Sequence, residues 1–388
     1  MTNLSCGRKE RQPFSEADET VHDGPGTPSR GHCTRKLELD NLLLTPKPGI
    51  SLAEATYIAK CCFPDFVHGC RRLSGERDAN FRISNHEGRT LILKFINPAE
   101  DMATTEMQIA LLEHLTASEL KVGIAPRHQA CHAPPRHADR LVAAALDDNG
   151  TCDWIDYWPE SGQAPVRVRA YEFLEGCPDA KLASSQPAWM ALGRQMADLD
   201  QNLSGFQHPA MYRRLLWDTT HAGYLYFLVE HVKNARLIEP ILDFLTRFER
   251  QVAPTLARLP QQMIHNDLSP SNILVDQAGR AIIGILDFGD AVHAPRIAEI
   301  AVGASYQMNR YRDPCIALDS IVHGYESVQQ LLPEERAHIH DLVLARLVQR
   351  IVITSWRADQ FPENRNYIMR SAADAISLFS TLHETLYE

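Results

Sequence analysis

The spacing of apolar residues in the second half of the chain predicts a mainly helical region. One apolar series follows Pro187 at intervals of three and four, the spacing of one helix face, and comprises Trp189, Leu192, Met196, Leu199 and Leu203. Further helices are predicted at about residues 221–233, 237–258, 315–330, 335–358 and 367–386. We therefore expect the C-terminal part of the chain to be built mainly from helices.

The first half carries shorter apolar runs that predict strands. Residues 73–83 and 89–96 predict two strands, and Asn85-His-Glu-Gly88 predicts the turn that joins them. A short helix at residues 52–60 is predicted before them, because Ser51 and Glu54 form a capping-box pattern. Short strands and loops are expected between about residues 121 and 170.

Composition and charge narrow the class of protein. The 388 residues are 44% hydrophobic and 23% charged, as in ordinary soluble enzymes. The net charge of −10 argues against a nucleic-acid partner, which would need a basic face. Nine cysteines without a C-x-x-C pair and an N-terminus without an apolar leader favour reduced thiols in a cytoplasmic protein. The apolar run at 342–353 is interrupted by Arg346, Gln349 and Arg350, so no membrane span is expected.

The run from Met263 to Asp290 combines two apolar segments with a small set of polar residues. Asn272-Ile-Leu-Val275 and Ala281-Ile-Ile-Gly-Ile-Leu286 predict two strands around the turn Asp276-Gln-Ala-Gly279. That hairpin would bring Asn272 and Asp287 to the same end, beside the loop that carries Asp267. Asp and Asn at turns often only cap strands or form local turns. The two units here have the spacing of phosphoryl-transfer enzymes, which favours the catalytic interpretation.

These side chains suit magnesium-dependent phosphoryl transfer. Mg²⁺ prefers one or two carboxylates together with phosphate oxygens, so Asn272 and Asp287 are its candidate ligands. Asp267 lies five residues before the Asn and is the candidate catalytic base that receives the proton of an attacking hydroxyl. We expect His265 to fix the loop by hydrogen bonding.

The chain resembles the aminoglycoside phosphotransferase and choline kinase superfamily, and within it most closely the hydroxylysine kinase branch. Beside the two motifs above, the closer likeness rests on Leu73-Ser-Gly-Glu-Arg-Asp-Ala-Asn-Phe81, Leu93-Lys-Phe-Ile-Asn-Pro98, Leu216-Trp-Asp218 and Ile285-Leu-Asp-Phe-Gly-Asp290. The resemblance covers about residues 40–388. One departure is Asn266, where relatives often have Gly, and it affects the geometry of the loop.

The resemblance implies an α+β, protein-kinase-like fold with two lobes. A small, β-rich N-terminal lobe would bind the nucleotide at residues 39–175, and a larger, mainly helical C-terminal lobe would carry catalysis and the acceptor at residues 176–388. Residues 1–38 are rich in Gly, Pro, Ser, Thr and charge, and we expect them to form a flexible tail. Glu299 resembles the acidic residue that braces the active-site loops.

Lys94 lies inside the apolar run Leu91-Ile-Leu-Lys-Phe-Ile96. A lysine there is costly unless its ammonium group meets anions, although a lysine at the edge of a sheet can also extend to solvent. In kinase-like proteins such a lysine contacts the α and β phosphates and pairs with a helix glutamate. Glu106, on a helix expected to begin at Pro98, is the candidate partner.

Two further segments are nucleotide-binding candidates by position. The loop Ser74-Gly-Glu-Arg-Asp-Ala-Asn80 precedes the Lys94 strand, where a phosphate-covering turn is expected, and Ser74 is its candidate side chain. The loop has a single glycine and does not match the kinase G-x-G-x-x-G pattern. The resemblance implies that residues 169–176 form the hinge that meets the adenine or guanine, with Tyr171 and Phe173 as contacts.

The function implied by these features is a small-molecule kinase. It would transfer the γ-phosphoryl group of GTP or ATP, with Mg²⁺, to the hydroxyl of an amino acid or amino alcohol. The resemblance favours 5-hydroxylysine as acceptor and GTP as donor, with Arg77 and Asp290 as candidate contacts for the carboxylate and ammonium groups. The alternatives are an aminoglycoside phosphotransferase, a homoserine or choline-type kinase, and a non-catalytic pseudokinase. Intact Lys94, Asp267, Asn272 and Asp287 argue against the pseudokinase.

Overall fold

The computed structural model describes residues 41–117, 128–129, 131–132, 141–143, 148–149, 151–162, 164–175, 182–310 and 313–387. The predicted N-terminal tail lies outside these residues. The described part of the chain divides into a β-rich region and a mainly helical region, as the sequence predicts for a two-lobed α+β fold.

The N-terminal lobe is built around an antiparallel sheet with strand order β1-β2-β3-β9-β8-β6, and β4 also pairs with β9. Its helices are α1 (Asn41–Leu44), α2 (Leu52–Cys62) and α3 (Met102–Ala117). Its strands are β1 (Gly69–Leu73), β2 (Ala79–Ser84), β3 (Thr90–Phe95), β4 (His128–Gln129), β5 (Cys131–His132), β6 (Leu141–Ala143), β7 (Thr151–Cys152), β8 (Ile155–Tyr157) and β9 (Val166–Glu172).

The hairpin β2–β3 shows how alternation places Lys94. The side chains of Leu91, Leu93 and Phe95 point into the core of this lobe, so Lys94 lies on the opposite face of the sheet. The turn before β3 has Gly88 at φ +84°, a conformation that glycine adopts without strain. The predicted strand at 73–83 is wrong in one respect: β1 ends at Leu73 and a turn separates it from β2. The capping box of α2 is confirmed.

The C-terminal lobe consists mainly of helices. These are α4 (Gln186–Leu203), α5 (Ala235–Arg247), α6 (Ala253–Leu256), α7 (Ile297–Ala304), α8 (Pro314–Glu326), α9 (Pro333–Ala337), α10 (Ile339–Gln360), α11 (Arg365–Ile368) and α12 (Ala372–Tyr387). The 3-10 helices of this lobe lie at Pro209–Tyr212, Thr219–His231, Phe288–Asp290, Met308–Arg310 and Pro362–Asn364, and a π-helical turn lies at Phe248–Val252; one further 3-10 helix, Pro64–Phe66, belongs to the N-terminal lobe. The segment predicted as a helix at 221–233 is therefore 3-10 and not α-helical.

Two small two-stranded sheets carry the polar motifs of the C-terminal lobe. Strand β11 (Ile273–Val275) forms a hairpin with β12 (Ile282–Ile285), as predicted, around a turn in which Gly279 has φ +65°. Strand β10 (Gln261–Ile264) pairs with β13 (Val292–Pro295), which follows that hairpin in the chain. Asp267 lies in the loop that follows β10, and Asp287 lies in the loop that follows β12.

Two separate apolar clusters stabilise the lobes. The smaller one fills the N-terminal sheet and α2, and the larger one fills the helical region, including the predicted apolar face of α4. The exact boundary predicted at residues 175/176 stays a prediction, since residues 176–181 are outside the described part.

Two further expectations from the sequence concern membrane-spanning helices and the oxidation state of the cysteines. Among the described helices, none combines the length and apolar character that crossing a membrane requires. Cys61, Cys62, Cys70, Cys131 and Cys152 are reduced thiols. Cys315 is disulfide-bonded, contrary to the expectation of reduced cysteines.

Candidate active site

A cleft of about 910 Å³ lies between the two lobes. All of the predicted site residues except Glu106 line it, namely Ser74, Arg77, Lys94, Tyr171, Phe173, Asp267, Asn272, Asp287 and Asp290. The cleft therefore unites residues that lie more than 200 positions apart in the sequence.

Asp267 is held on both carboxylate oxygens. Its Oδ1 accepts a hydrogen bond from Arg346 Nη2 at 3.0 Å, and its Oδ2 accepts one from Asn272 Nδ2 at 2.7 Å. Burial raises the pKa of the Asp267 carboxyl to about 6; Asp290 and Asp287 act in the same direction and Arg346 opposes them. A carboxyl with a pKa about one unit below neutral is ionised at pH 7 and still basic enough to take up a proton.

The backbone before Asp267 adopts a left-handed conformation at Asn266, where φ is +64°. Asn tolerates this region better than other residues with a side chain, and Gly tolerates it without strain. The backbone N–H of Asn266 donates to Glu299 Oε2 at 3.0 Å, so Glu299 braces the loop as predicted. His265 Nε2 lies 2.9 Å from the carbonyl oxygen of Leu286, which ties the base loop to the strand before Asp287.

Asn272 and Asp287 meet at the end of the β11–β12 hairpin. The Asn272 amide nitrogen donates to Asp267, which leaves the amide oxygen as the group available to a cation. The Lys94 ammonium, and after it Arg77, hold the pKa of Asp287 well below its usual range, so this carboxylate stays charged. Within the described residues, no group of three or more His, Cys, Asp or Glu side chains forms a metal site by itself. An amide oxygen and a carboxylate fit Mg²⁺, which takes its remaining ligands from phosphates and water.

Lys94 is enclosed by two carboxylates. Its Nζ lies 3.0 Å from Asp78 Oδ2 and 3.3 Å from Asp287 Oδ1. Burial opposes the charge, but Asp287 and Asp78 raise the pKa of the Lys94 ammonium above its usual value. The cation is therefore fixed at the junction of the lobes.

The predicted pairing of Lys94 with Glu106 is wrong. Glu106 is exposed on α3, whereas Gln108 and Leu112 of the same helix line the cleft. Two residues along a helix correspond to a rotation of about 200°, so Glu106 faces away when Gln108 faces the cleft. The helix begins at Met102 and not at Pro98. Asp78, which the sequence did not single out, takes the predicted position beside Lys94.

The turn between β1 and β2 has a compact backbone. A Cβ at Gly75 would lie 2.5 Å from the carbonyl oxygen of Asp78, so only glycine fits there. Ser74 is exposed in this turn and lines the cleft, and its role toward the phosphates stays a prediction. Asp78 Oδ1 accepts a hydrogen bond from the Asn97 backbone and fixes the far end of the turn.

An apolar slot lies beside β9. Tyr171 and Phe173 line it together with Ile92, Leu274 and Leu286. The Arg82 guanidinium lies 4.0 Å from the centre of the Phe173 ring, and the Phe173 N–H donates to the Thr90 carbonyl. A flat, apolar slot at the end of a strand suits a nucleobase.

Arg77 and Asp290, the predicted substrate contacts, bind each other. Arg77 Nη1 lies 2.6 Å from Asp290 Oδ1, and this ion pair joins the β1–β2 turn to the C-terminal lobe. Burial disfavours the Asp290 carboxylate, but Arg77 holds its pKa below the usual range. Arg213 steadies the same loop by donating to the carbonyl oxygens of Gly289 and Ala291. A role of the pair toward a substrate stays a prediction.

The sequence did not identify the arginines of α10 as part of the site. Arg346, Arg350 and Arg357 line the cleft although each is at most 5% exposed. Their spacing of four and seven residues places them on one helix face. This spacing was visible as an interruption of the apolar run at 342–353. Trp217, from the Leu216-Trp-Asp218 segment, stacks on Arg346 with its ring centre 4.8 Å from the guanidinium.

Comparisons with known proteins show the family to which the chain belongs. The model of the phosphotransferase enzyme family (APH) matches residues 69–338. A hydroxylysine kinase of Mus musculus is 27% identical over 344 residues, which cover 84% of this chain and 87% of that protein.

Solved structures show the same fold. A microcompartment-associated aminopropanol kinase has a TM-score of 0.55 and 21% identity, and the match covers 81% of this chain and 93% of that one. The GDP complex of aminoglycoside 2'-phosphotransferase-IIIa has a TM-score of 0.54 and 17% identity, covering 86% and 98%. The expected kinase-like fold is confirmed. The chain belongs to the phosphotransferase enzyme family and is a kinase that acts on hydroxyl groups.

Proposed function

We propose that this protein transfers the γ-phosphoryl group of GTP or ATP to the hydroxyl of a small amino acid, with 5-hydroxylysine as the leading acceptor. The observation that carries the proposal is Asp267. This half-buried carboxylate has a pKa of about 6 and accepts hydrogen bonds from Arg346 and from Asn272, which is itself one of the two candidate metal ligands.

The reaction requires little covalent chemistry from the protein, so positioning and charge dominate. The acceptor oxygen attacks the γ-phosphorus while the bond from that phosphorus to the bridging β-phosphate oxygen breaks. Asp267 orients the hydroxyl and takes up its proton, and Lys94 aligns the α and β phosphates. Asn272 and Asp287 would hold Mg²⁺, which offsets the negative charge on the phosphate oxygens when it is bound.

The donor is placed by the N-terminal lobe. Ser74 and the backbone of its turn lie over the phosphates, and Tyr171 and Phe173 bound the slot for the base. GTP is the donor that the resemblance stated for the sequence favours; of the structural neighbours, one was solved with GDP and another with AMP-PNP. ATP remains the alternative donor.

The acceptor is supported by two independent facts. The curated relatives that match most of the chain are named hydroxylysine kinases. The acceptor side of the cleft also carries both carboxylates and guanidinium groups, which a zwitterionic amino acid can use.

Steady-state turnover with GTP and with ATP tests the proposal. The acceptors are 5-hydroxylysine, homoserine, choline and kanamycin, all with Mg²⁺ present. We expect the highest kcat/KM for 5-hydroxylysine with GTP. Efficient turnover of kanamycin with none of 5-hydroxylysine would contradict the acceptor and leave the kinase mechanism intact.

A further inference from the structure

Helix α10 presents a row of three arginines to the cleft, Arg346, Arg350 and Arg357, which we call the α10 arginine row. Their exposed fractions are 1%, 3% and 5%. Guanidinium groups are rarely buried to this degree unless each is paired. The partners of each arginine therefore show whether its charge is balanced within the protein.

Two members of the row have a carboxylate partner from this chain. Arg346 donates to Asp267, and its other terminal nitrogen donates to the Trp217 carbonyl oxygen at 2.9 Å. Arg357 forms an ion pair with Glu76 of the β1–β2 turn. Their charges are therefore balanced within the protein.

Arg350 differs from both. It donates to the carbonyl oxygens of Ser305 at 2.7 Å and Ser371 at 3.2 Å, and its guanidinium lies 4.1 Å from the Tyr306 ring centre. Within the described residues, no carboxylate lies within 4.0 Å of it. Burial, reinforced by the neighbouring Arg346, lowers the pKa of the Arg350 guanidinium below its usual value. A buried cation with only neutral partners is costly and is stabilised when an anion binds.

We propose that Arg350 binds the carboxylate of the acceptor, so that the site selects an α-amino acid over an amino alcohol or an aminoglycoside. This inference rests on the proposed function, because it assumes that a hydroxyl is phosphorylated beside Asp267. Arginine suits the task, since its planar fork matches a carboxylate in a bidentate geometry.

The dimensions of the site agree with this assignment. Arg350 is one helical turn from Arg346, or about 6 Å along the axis, and Arg346 holds Asp267. In extended 5-hydroxylysine the carboxyl carbon and the C5 hydroxyl oxygen are separated by five single bonds, also about 6 Å. An acceptor bound by its carboxylate at Arg350 therefore presents its hydroxyl to Asp267.

Asp374 supplies the complementary charge. It lies in the first turn of α12, is exposed, and lines the same cleft as Arg350. Arg350 donates to the carbonyl oxygen of Ser371, three residues before Asp374, and the charge of Asp374 favours the Arg350 cation. Asp374 is the group for the α-ammonium of an amino acid whose carboxylate meets Arg350. Neither choline nor an aminoglycoside has the carboxylate that this pair requires.

A pair of acceptors that differ only in the carboxylate tests the inference. These are 5-hydroxylysine and 1,5-diaminopentan-2-ol, assayed with the wild-type enzyme and with Arg350→Gln and Arg350→Lys. Loss of one partner from a buried charge pair commonly weakens binding by roughly 100-fold. We expect wild type to favour the amino acid by about that factor in kcat/KM, through KM. Arg350→Gln should reduce the ratio to near one, and Arg350→Lys should retain part of it.

Arg357→Gln is the matched control, because it removes the same charge from the same helix face at a residue already paired with Glu76. It should change both acceptors alike. If Arg357→Gln and not Arg350→Gln removes the preference, the carboxylate binds elsewhere and the assignment is overturned. Equal turnover of both acceptors by the wild-type protein also overturns the assignment. This outcome does not depend on whether any variant folds. Turnover of neither acceptor would instead contradict the proposed function.

Discussion

The part of the cleft around Lys94 and Arg77, here called the nucleotide half, differs from the part around Arg350, here called the acceptor half. The difference lies in how the charges of these cations are paired. In the nucleotide half, Lys94 is flanked by Asp78 and Asp287, and Arg77 is paired with Asp290. In the acceptor half, Arg350 is more deeply buried than either of these cations, and its hydrogen-bond acceptors among the described residues are carbonyl oxygens. The first half is held in place by its own ion pairs, whereas the second has a charge that a ligand can balance. The difference separates residues that position the reaction from residues that select the acceptor.

Asp267→Asn is expected to give the largest loss of activity of any variant considered for the two halves of the cleft. Asn retains the shape of the side chain but cannot take up the proton of the acceptor hydroxyl. Removal of a general base costs about 10²–10⁴-fold in rate, so we expect kcat to fall by that factor. Calorimetric titration should show nucleotide affinity nearly unchanged. A wild-type kcat in this variant would show that Asp267 is not the base.

Asp287→Ala tests the nucleotide half next. The variant loses a candidate ligand of Mg²⁺ and one partner of Lys94, and we expect activity to fall on the order of 100-fold or more. Titration of nucleotide with and without Mg²⁺ measures the effect directly. If the metal dependence of binding matches wild type, Asp287 is structural and the metal site lies elsewhere.

Asp78→Asn and Glu106→Gln together test which acid supports Lys94. Asp78 is 3.0 Å from the ammonium, so its neutralisation should raise the nucleotide KM about 10-fold, the worth of one charged hydrogen bond. Glu106 is exposed on the other side of α3, and its variant should stay within about twofold of wild type. The reverse result would restore the pairing that the sequence suggested.

The smallest expected effect is on the pH dependence of kcat/KM, and this effect is specific to the ionisation of Asp267. The pKa of Asp267 is about 6, and its ionised form is the base, so kcat/KM should rise with pH through about 6 and then level off. Arg346 lowers this pKa, so Arg346→Gln should move the rise to higher pH by about one unit. Arg346→Lys retains the charge and should leave the rise near 6. If kcat/KM of the wild-type protein shows no rise near pH 6, ionisation of Asp267 does not control the rate.

The grouping of the candidate catalytic residues could be predicted from the sequence because these residues are close together in the chain. Asp267, Asn272 and Asp287 lie within 21 positions, and one predicted hairpin brings them together. Their spacing is a property of the chain and does not depend on distant contacts. The positive φ of Asn266 is a conformation that glycine adopts without strain, so the loop geometry is compatible with either residue.

The residues that depend on packing could not be predicted in the same way. The choice of Asp78 over Glu106 follows from which face of α3 meets the sheet, and this face is set by tertiary contacts. The α10 arginine row interrupts an apolar stretch, but the sequence does not show that a cleft faces it. Arg77 and Asp290 were selected for their charge, and their mutual contact spans 213 positions.

Identification of the reaction product tests the central claim most directly. Wild-type protein and Asp267→Asn are each incubated with GTP, Mg²⁺ and 5-hydroxylysine, and the product is analysed by ³¹P NMR and mass spectrometry. The account predicts a phosphate monoester on the C5 oxygen with wild type and only a trace with the variant. Binding of nucleotide without formation of any phosphate ester, on this acceptor or on homoserine, choline or kanamycin, would contradict it and indicate a non-catalytic nucleotide-binding protein.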